Sequence, residues 1–226
     1  MSLYCIQSSD KYPEIRLPKG LVIKESTDIE LLSFMGATPA ETIRKRLAND
    51  HAAYIAYISN EPAAFGWIAK GRAYIGELNH EIILPLYNRY LWNFRTMEKF
   101  RGLGIYPALL QFIITIESAN ANLFWIIHAP ENKSSLRGIQ KAGFSFVGKL
   151  YIGEAITRIE HTSLSDQYKD ILTEMDITIS NESPAACWNC SSPYLKNRNP
   201  VCCCTEKDEE CTRSEFGIVT TTPAMA

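Results

Sequence analysis

The sequence predicts an α+β fold, with a mixed, mainly antiparallel central sheet flanked by helices. Three observations predict it. Apolar runs of period two and period 3.6 interleave in an order that is neither a βαβ alternation nor all-β. A nearly continuous apolar run, Asn122 to His128 (NLFWIIH), has the character of a central strand covered on both faces. Between those patterns, glycine and cap residues punctuate the chain where strands and helices must change over.

Taken in order, Gly20 to Glu25 (GLVIKE) alternates and reads as a first strand. Thr27 and Asp28 can cap a short helix to about Met35, and Thr38-Pro39-Ala40-Glu41 opens a second helix reaching Ala48. His51 to Ser59 and Ala63 to Lys70, separated by Asn60-Glu61-Pro62, form a predicted β-hairpin, which Arg72 to Glu77 extends or bulges near Gly71. From Tyr90 to Thr96 the residues alternate, with Tyr90, Trp92, Phe94 and Thr96 on one face and Leu91, Asn93 and Arg95 on the other. A helix follows from about Gly104 to Ser118, with Ile105, Leu109, Phe112, Ile113 and Ile116 on one face. After the Asn122–His128 strand, Asn132 caps a helix through Leu136, Ile139 and Gln140 that Gly143 closes. Ser145 to Ile152 and Ala155 to His161 are a closing pair of strands.

The 226 residues allow one large domain, or an ordinary domain with an appendage. Composition favours the second: residues 1–161 form the domain, 162–179 a helical extension and 180–226 a Cys-rich flexible tail. In the extension, Leu164 to Met175 spaces Leu164, Tyr168, Ile171, Leu172 and Met175 for one face of a helix. The 46% hydrophobic content supports a core, and a net charge of −2 argues against a general nucleic-acid binder. No apolar run has membrane length, and the first residues do not read as a signal peptide, so a cytoplasmic protein is expected, with no membrane partner.

Of 7 cysteines, Cys5 stands alone, and Cys187, Cys190, Cys202, Cys203, Cys204 and Cys211 crowd the tail. Cys187-x-x-Cys190 with Cys202 and Cys204 or Cys211 could supply four thiolates to zinc. Three adjacent cysteines without a nearby histidine depart from a zinc ribbon, and a reduced flexible tail is the favoured reading, with no metal assigned.

The stretch Glu98-Lys99-Phe100-Arg101-Gly102-Leu103-Gly104-Ile105-Tyr106-Pro107 carries the chemistry. It joins a strand to a helix. The first N–H groups of a helix have no intrahelical partner and sit at the positive end of its macrodipole. Glycines before them let phosphate oxygens approach the backbone, and Pro107 is tolerated in the first turn. The plainer alternative is an ordinary tight turn with a structural arginine.

These elements together resemble the GCN5-related N-acetyltransferase (GNAT) superfamily over roughly residues 20–161. Arg101-Gly102-Leu103-Gly104-Ile105-Tyr106 is similar to the family's pyrophosphate loop, Arg/Gln-x-x-Gly-x-Gly/Ala, with Tyr106 where a small residue is usual. Asn132, Ser135, Lys141, Gly143 and Phe144 match a second motif, Asn-x-x-Ala/Ser followed by Tyr-x-Lys-x-Gly-Phe. There Ile139 takes the place of the tyrosine that protonates the leaving thiolate in many members.

The resemblance implies a GNAT-like fold and N-acyl transfer from acetyl-CoA, or another acyl-CoA, to an amine that is either a small molecule or a protein. It implies that main-chain groups of Phe94, Arg95 and Thr96 pair with the pantetheine arm. Gly102, Leu103, Gly104, Ile105 and Tyr106 would hold the diphosphate, with Arg101 adding charge or bracing the loop, and Asn132 and Ser135 completing the cofactor site. Candidates for proton handling are Glu77, Tyr90 and His128; each has a dull alternative as a solvated, core or packing residue. Glu131, beside the Asn132 cap, is a dipole partner in the first turn. The rival reading is a non-catalytic acyl-CoA-binding module whose tail recruits a partner or zinc.

Overall fold

The computed structural model describes residues 1–129, 132–153 and 156–182. In chain order the elements are β1 (Ser2–Gln7), β2 (Leu21–Ser26), α1 (Ile29–Gly36), α2 (Ala40–Ala48), β3 (Ala52–Ile58), β4 (Glu61–Ala69), β5 (Arg72–Ile75), β6 (His80–Ile83) and β7 (Asn88–Thr96). They continue with α3 (Ile105–Glu117), β8 (Leu123–His128), α4 (Lys133–Ala142), β9 (Ser145–Gly153), β10 (Ile156–Glu160), α5 (Ser163–Gln167), α6 (Lys169–Glu174) and β11 (Thr178–Ser180). Nine strands form one sheet in the order β11-β10-β9-β1-β8-β7-β4-β3-β2, and β5 and β6 form a separate ribbon. Among the described residues only β7/β8 and β10/β11 pair in parallel. The fold is therefore α+β with a mixed, mainly antiparallel sheet.

Local chemistry accounts for the boundaries. Asp28 accepts a hydrogen bond from the Leu31 N–H at 2.9 Å and starts α1. The β3–β4 hairpin turns on Ser59 (φ 50°) and Asn60 (φ 67°), two left-handed residues whose twist matches that of the strands they join. Gly143, at φ 100°, ends α4 in the left-handed conformation that glycine adopts without strain.

Five expectations are corrected. The first strand is Ser2–Gln7, not Gly20–Glu25, and it lies inside the sheet between β8 and β9. Its pattern, SLYCIQ, is nearly all buried and shows no alternation. The cap expected of Thr38 at α2 is absent: Pro39 takes the position and no side chain caps the helix. Arg72 to Glu77 neither extends the hairpin nor bulges it, because β5 turns back on β6 to make the ribbon. Ile116 is 52% exposed, and the buried face of α3 is instead Ile105, Ala108, Leu109, Leu110, Ile113 and Ile114. The single helix expected over Leu164–Met175 is two, broken at Tyr168.

The sheet separates two sides of the core. On one, α3 and α4 pack over Tyr54, Ala64, Ile68, Leu91, Phe124 and Ile126. On the other, Leu32, Met35 and Ile43 of α1 and α2 cover Ala53, Ile55, Phe65 and Trp67. Beside them, the β5–β6 ribbon joins Leu172 and Met175 over Leu3, Trp125 and Leu150. Each fully buried Leu or Ile contributes about 1.5–3 kcal/mol relative to exposure. The five on α3, Ile105, Leu109, Leu110, Ile113 and Ile114, therefore fix where its N-terminus points. Past residue 161 the chain stays in the assembly, with β11 pairing against β10 at the sheet edge.

Cys5, buried in this core, has its thiol pushed up to about 12 by burial, against an opposing hydrogen bond with Tyr168, and is unreactive at neutral pH. Among the described residues no helix is long and apolar enough to cross a membrane, and no cluster of metal-ligating side chains occurs. The six tail cysteines and Glu131 lie outside the described residues.

Candidate active site

The neighbours β7 and β8 pair from Asn88↔Leu123 to Leu91↔Ile126 and no further. β7 runs on to Thr96 and β8 to His128, so the two strands part and the β8-facing edge of residues 92–96 is left without a strand partner. On its other edge β7 still pairs with β4, through Trp67↔Trp92, Phe65↔Arg95 and Ala64↔Thr96. Between those pairs two residues, Asn93 and Phe94, stand opposite Gly66 alone. This is a β-bulge, and Asn93 adopts φ 51° to make it.

The bulge corrects the expected alternation of β7. Trp92 packs with the clusters on the α1/α2 and ribbon side. Phe94, expected on the same face, packs with the α3 cluster instead. Its ring fills the place where a Cβ on Gly66 would lie, 2.0 Å away. A glycine inside a strand pattern is the signal that could have disclosed the bulge from the sequence.

The glycine turn lies just beyond this parting. Gly102 (φ 81°) and Gly104 (φ 76°) both take left-handed backbone. A Cβ at Gly102 would meet nothing within 4 Å, so the turn faces open space, and Gly104 is the N-cap of α3 with no side-chain cap. No acidic residue occupies the first turn. The amides there are thus uncapped by any side chain and open to an anion, which fits a diphosphate. Leu103 is exposed and Ile105 buried, so the loop stands out while the helix start is anchored. The Arg101 Nε donates to the Thr96 carbonyl at 3.5 Å and its Nη1 lies 3.8 Å from Glu98, which ties the loop back to the end of β7. Arg95 reaches the Met35 carbonyl at 3.4 Å.

Tyr106 turns inward between α3 and α4. Its ring lies 5.4 Å from that of Phe94 and against Gly138, where a Cβ would stand 2.2 Å from it. Its hydroxyl shares a 3.3 Å hydrogen bond with Ser135. Burial raises the phenol pKa, only partly opposed by Ser135, so Tyr106 keeps its proton through neutral pH and is excluded as a base. Ile139, one residue on from Gly138, is fully buried. The tyrosine hydroxyl against α4 therefore comes from α3. A glycine in mid-helix, costly by propensity, is the signal for such close packing.

Asn132 is occupied as a cap: its Oδ1 accepts from the Ser135 N–H at 3.0 Å and the Ser134 hydroxyl at 2.9 Å. The proton-handling candidates come from three different elements: β8, β7 and the turn between β5 and β6. His128 is 4% exposed at the splayed end of β8, and its Nε2 lies 3.0 Å from the Asn132 carbonyl, which can only accept, so Nε2 carries the proton. Tyr90 is 7% exposed in the paired part of β7, opposite Trp125. Glu77 belongs to the 3₁₀ turn Gly76–Leu78 between β5 and β6.

No family model matches the sequence, and no curated protein does. Solved structures do match. One is a GCN5-related N-acetyltransferase from Kribbella flavida, 15% identical with a TM-score of 0.46 over 64% of this chain and 53% of that one. A putative GNAT-family acetyltransferase from Novosphingobium aromaticivorans is 17% identical with a TM-score of 0.45, over 64% and 59%. A GNAT-family acetyltransferase from Elizabethkingia anophelis with acetyl-CoA bound is 17% identical with a TM-score of 0.45, over 62% and 93%. The chain spans 53% and 59% of the first two of these. GNAT acetyltransferases thus match somewhat under two thirds of the chain at low identity. The functional reading rests on the glycine turn and the parted strands, not on these alignments.

Proposed function

We propose that the chain is an acyl-CoA-dependent N-acyltransferase, moving an acetyl or other acyl group to an amine by direct attack. The observation that carries it is the end of β7–β8 pairing at Leu91↔Ile126 beside an uncapped helix N-terminus. An acyl-CoA combines an extended, amide-bearing arm with a diphosphate. The free edge of residues 92–96 suits the arm, since amides can add to a strand edge as a further strand. The amides from Gly102 to Tyr106 suit the diphosphate.

In the reaction the amine nitrogen gives up a proton and its lone pair forms a bond to the thioester carbonyl carbon. The carbon–sulfur bond breaks, and the thiolate takes up one proton as free thiol. Of the three candidates for accepting the amine proton, His128 is preferred, because it lies on the parted end of β8. An imidazole suits the task, since its ordinary pKa lies near neutrality. Glu77 and Tyr90 are the remaining candidates. The bound cofactor supplies the activated acyl group and its leaving thiol.

One observation favours the rival, a non-catalytic acyl-CoA-binding module: the buried Ile139 where the resemblance expects a thiolate-protonating tyrosine. Thiol release on presenting an amine panel with acetyl-CoA separates the two. The transferase releases one thiol for each amine acylated. Acetyl-CoA binding by calorimetry with no thiol release across the panel leaves the binding module. Zinc in the tail is not the favoured reading, and metal analysis of the untagged protein tests it.

A further inference from the structure

On the sheet side opposite α3, four buried nitrogens lack a hydrogen-bond partner among the described residues: Arg46 Nη1, His51 Nδ1, Trp67 Nε1 and Trp92 Nε1. They belong to one cluster. The Arg46 guanidinium carbon lies 4.5 Å from the centre of the Trp92 ring and 5.2 Å from that of Trp67. His51 meets Trp92 edge-on at 5.4 Å, and the two indoles are 6.2 Å apart. Buried polar groups are nearly always paired, so a cluster of unpaired ones calls for an explanation.

The chemistry of the cluster is directional. Arg46 Nη1 and the two indole nitrogens can only donate. Among the described residues no carboxylate pairs with Arg46; burial alone lowers its pKa, to about 10. The indole faces hold the cation by cation–π attraction but leave its N–H groups unused. His51 Nε2 lies 2.9 Å from the Arg72 carbonyl and so carries the proton, leaving Nδ1 of the neutral ring as a hydrogen-bond acceptor. The set therefore offers donors for an anion beside an acceptor for an N–H.

Its place matters equally. Trp92 is the first residue of β7 past the last β7–β8 pair, immediately before the bulge at Asn93. Phe94 goes to the α3 side and Trp92 to the other, so the cluster borders the point where the strands part, across the sheet from the glycine turn. We propose that Arg46, Trp67 and Trp92, with His51, seat the carboxylate of the acceptor, and that the acceptor is an amine bearing a carboxylate. This rests on the transferase reading above.

The test uses the full chain and the proteinogenic amino acids, each beside the amine it yields on losing its carboxylate. Binding is read by quenching of tryptophan fluorescence without acyl-CoA, and turnover by thiol release with acetyl-CoA. At least one amino acid should quench saturably while its decarboxylated partner does not. Arg46→Gln should weaken that binding on the order of a hundredfold, Arg46→Lys should restore part of it, and Trp92→Phe, which keeps a ring but loses the N–H, should weaken it severalfold. In turnover, Arg46→Gln should raise KM for the amino acid and leave KM for acetyl-CoA unchanged. A merely structural Arg46 would lower Tm without separating the two members of a pair.

The proposal is overturned if no amino acid quenches, if both members of every pair bind alike, or if Arg46→Gln leaves the quench unchanged. Carboxylate-dependent quenching with no thiol release sinks the transferase reading and keeps the carboxylate seat. Thiol release indifferent to the carboxylate and to Arg46 does the reverse.

Discussion

At Gly104 the backbone takes φ 76° and the nearest atom to an added Cβ is the Arg16 carbonyl oxygen at 3.9 Å. Space is no obstacle there; conformation is. Gly104→Ala should therefore cost about 1–2 kcal/mol of stability through the left-handed backbone penalty. If the turn holds a diphosphate, the affinity for acetyl-CoA should fall further than that loss explains. Urea unfolding and calorimetry on the same variant check both, and a variant that loses stability but keeps full affinity would argue for the ordinary tight turn. The glycines, the Asn132 cap and the Gly143 stop were legible because each acts within a few residues of itself. The inward turn of Tyr106 was not: it depends on Gly138 and Ser135, some thirty positions away and on another helix.

At the scale of elements, β7 decides the site, and Asn93 decides β7. Asparagine is among the few residues that accept a left-handed backbone, and here it lets two residues face one across the β4–β7 ladder. Asn93→Val should cost about 1–2 kcal/mol and disturb the Phe94–Tyr106 contact, whereas Asn93→Gly should be tolerated. Thermal unfolding compares the pair, and acetyl-CoA affinity should fall with Val but not with Gly. Equal stability of the two variants would mean the strand can pair without the bulge. Strands and helices with clear periodicity were readable from the chain. The strand β1 was hidden because a strand inside a sheet, buried on both faces, has no polar face to alternate, and β6 because four residues carry too little pattern.

At the scale of the molecule, α3 is bound to the sheet at its far end by a buried carboxylate. Glu117, 5% exposed, accepts from Arg89 Nε at 3.1 Å and from the Tyr54 hydroxyl at 3.1 Å, and pairs with Lys70 at 3.1 Å. Burial by itself would raise its pKa, but hydrogen bonds and charge from Lys70 and Arg89 outweigh it and the net shift is downward. A depressed carboxylate stabilises the fold above its unfolded pKa, and that contribution is lost as pH falls through the lower, folded value. Stability should thus decline in acid below the ordinary Glu range of about 4.3, and Glu117→Gln should flatten that decline while costing about 3 kcal/mol near neutrality. Urea midpoints across pH test it; an unchanged acid slope in Glu117→Gln would assign the loss to other groups. What the sequence alone determined is the local inventory: the class of fold, most elements with their caps, and a glycine turn opening a helix, all set by periodicity and backbone preference over short spans. Tertiary structure alone decided where β7 and β8 part, which face Trp92 and Phe94 take, and that Arg46, His51, Trp67 and Trp92 meet. Those outcomes depend on packing between residues distant along the chain, and no short-range pattern encodes such a meeting.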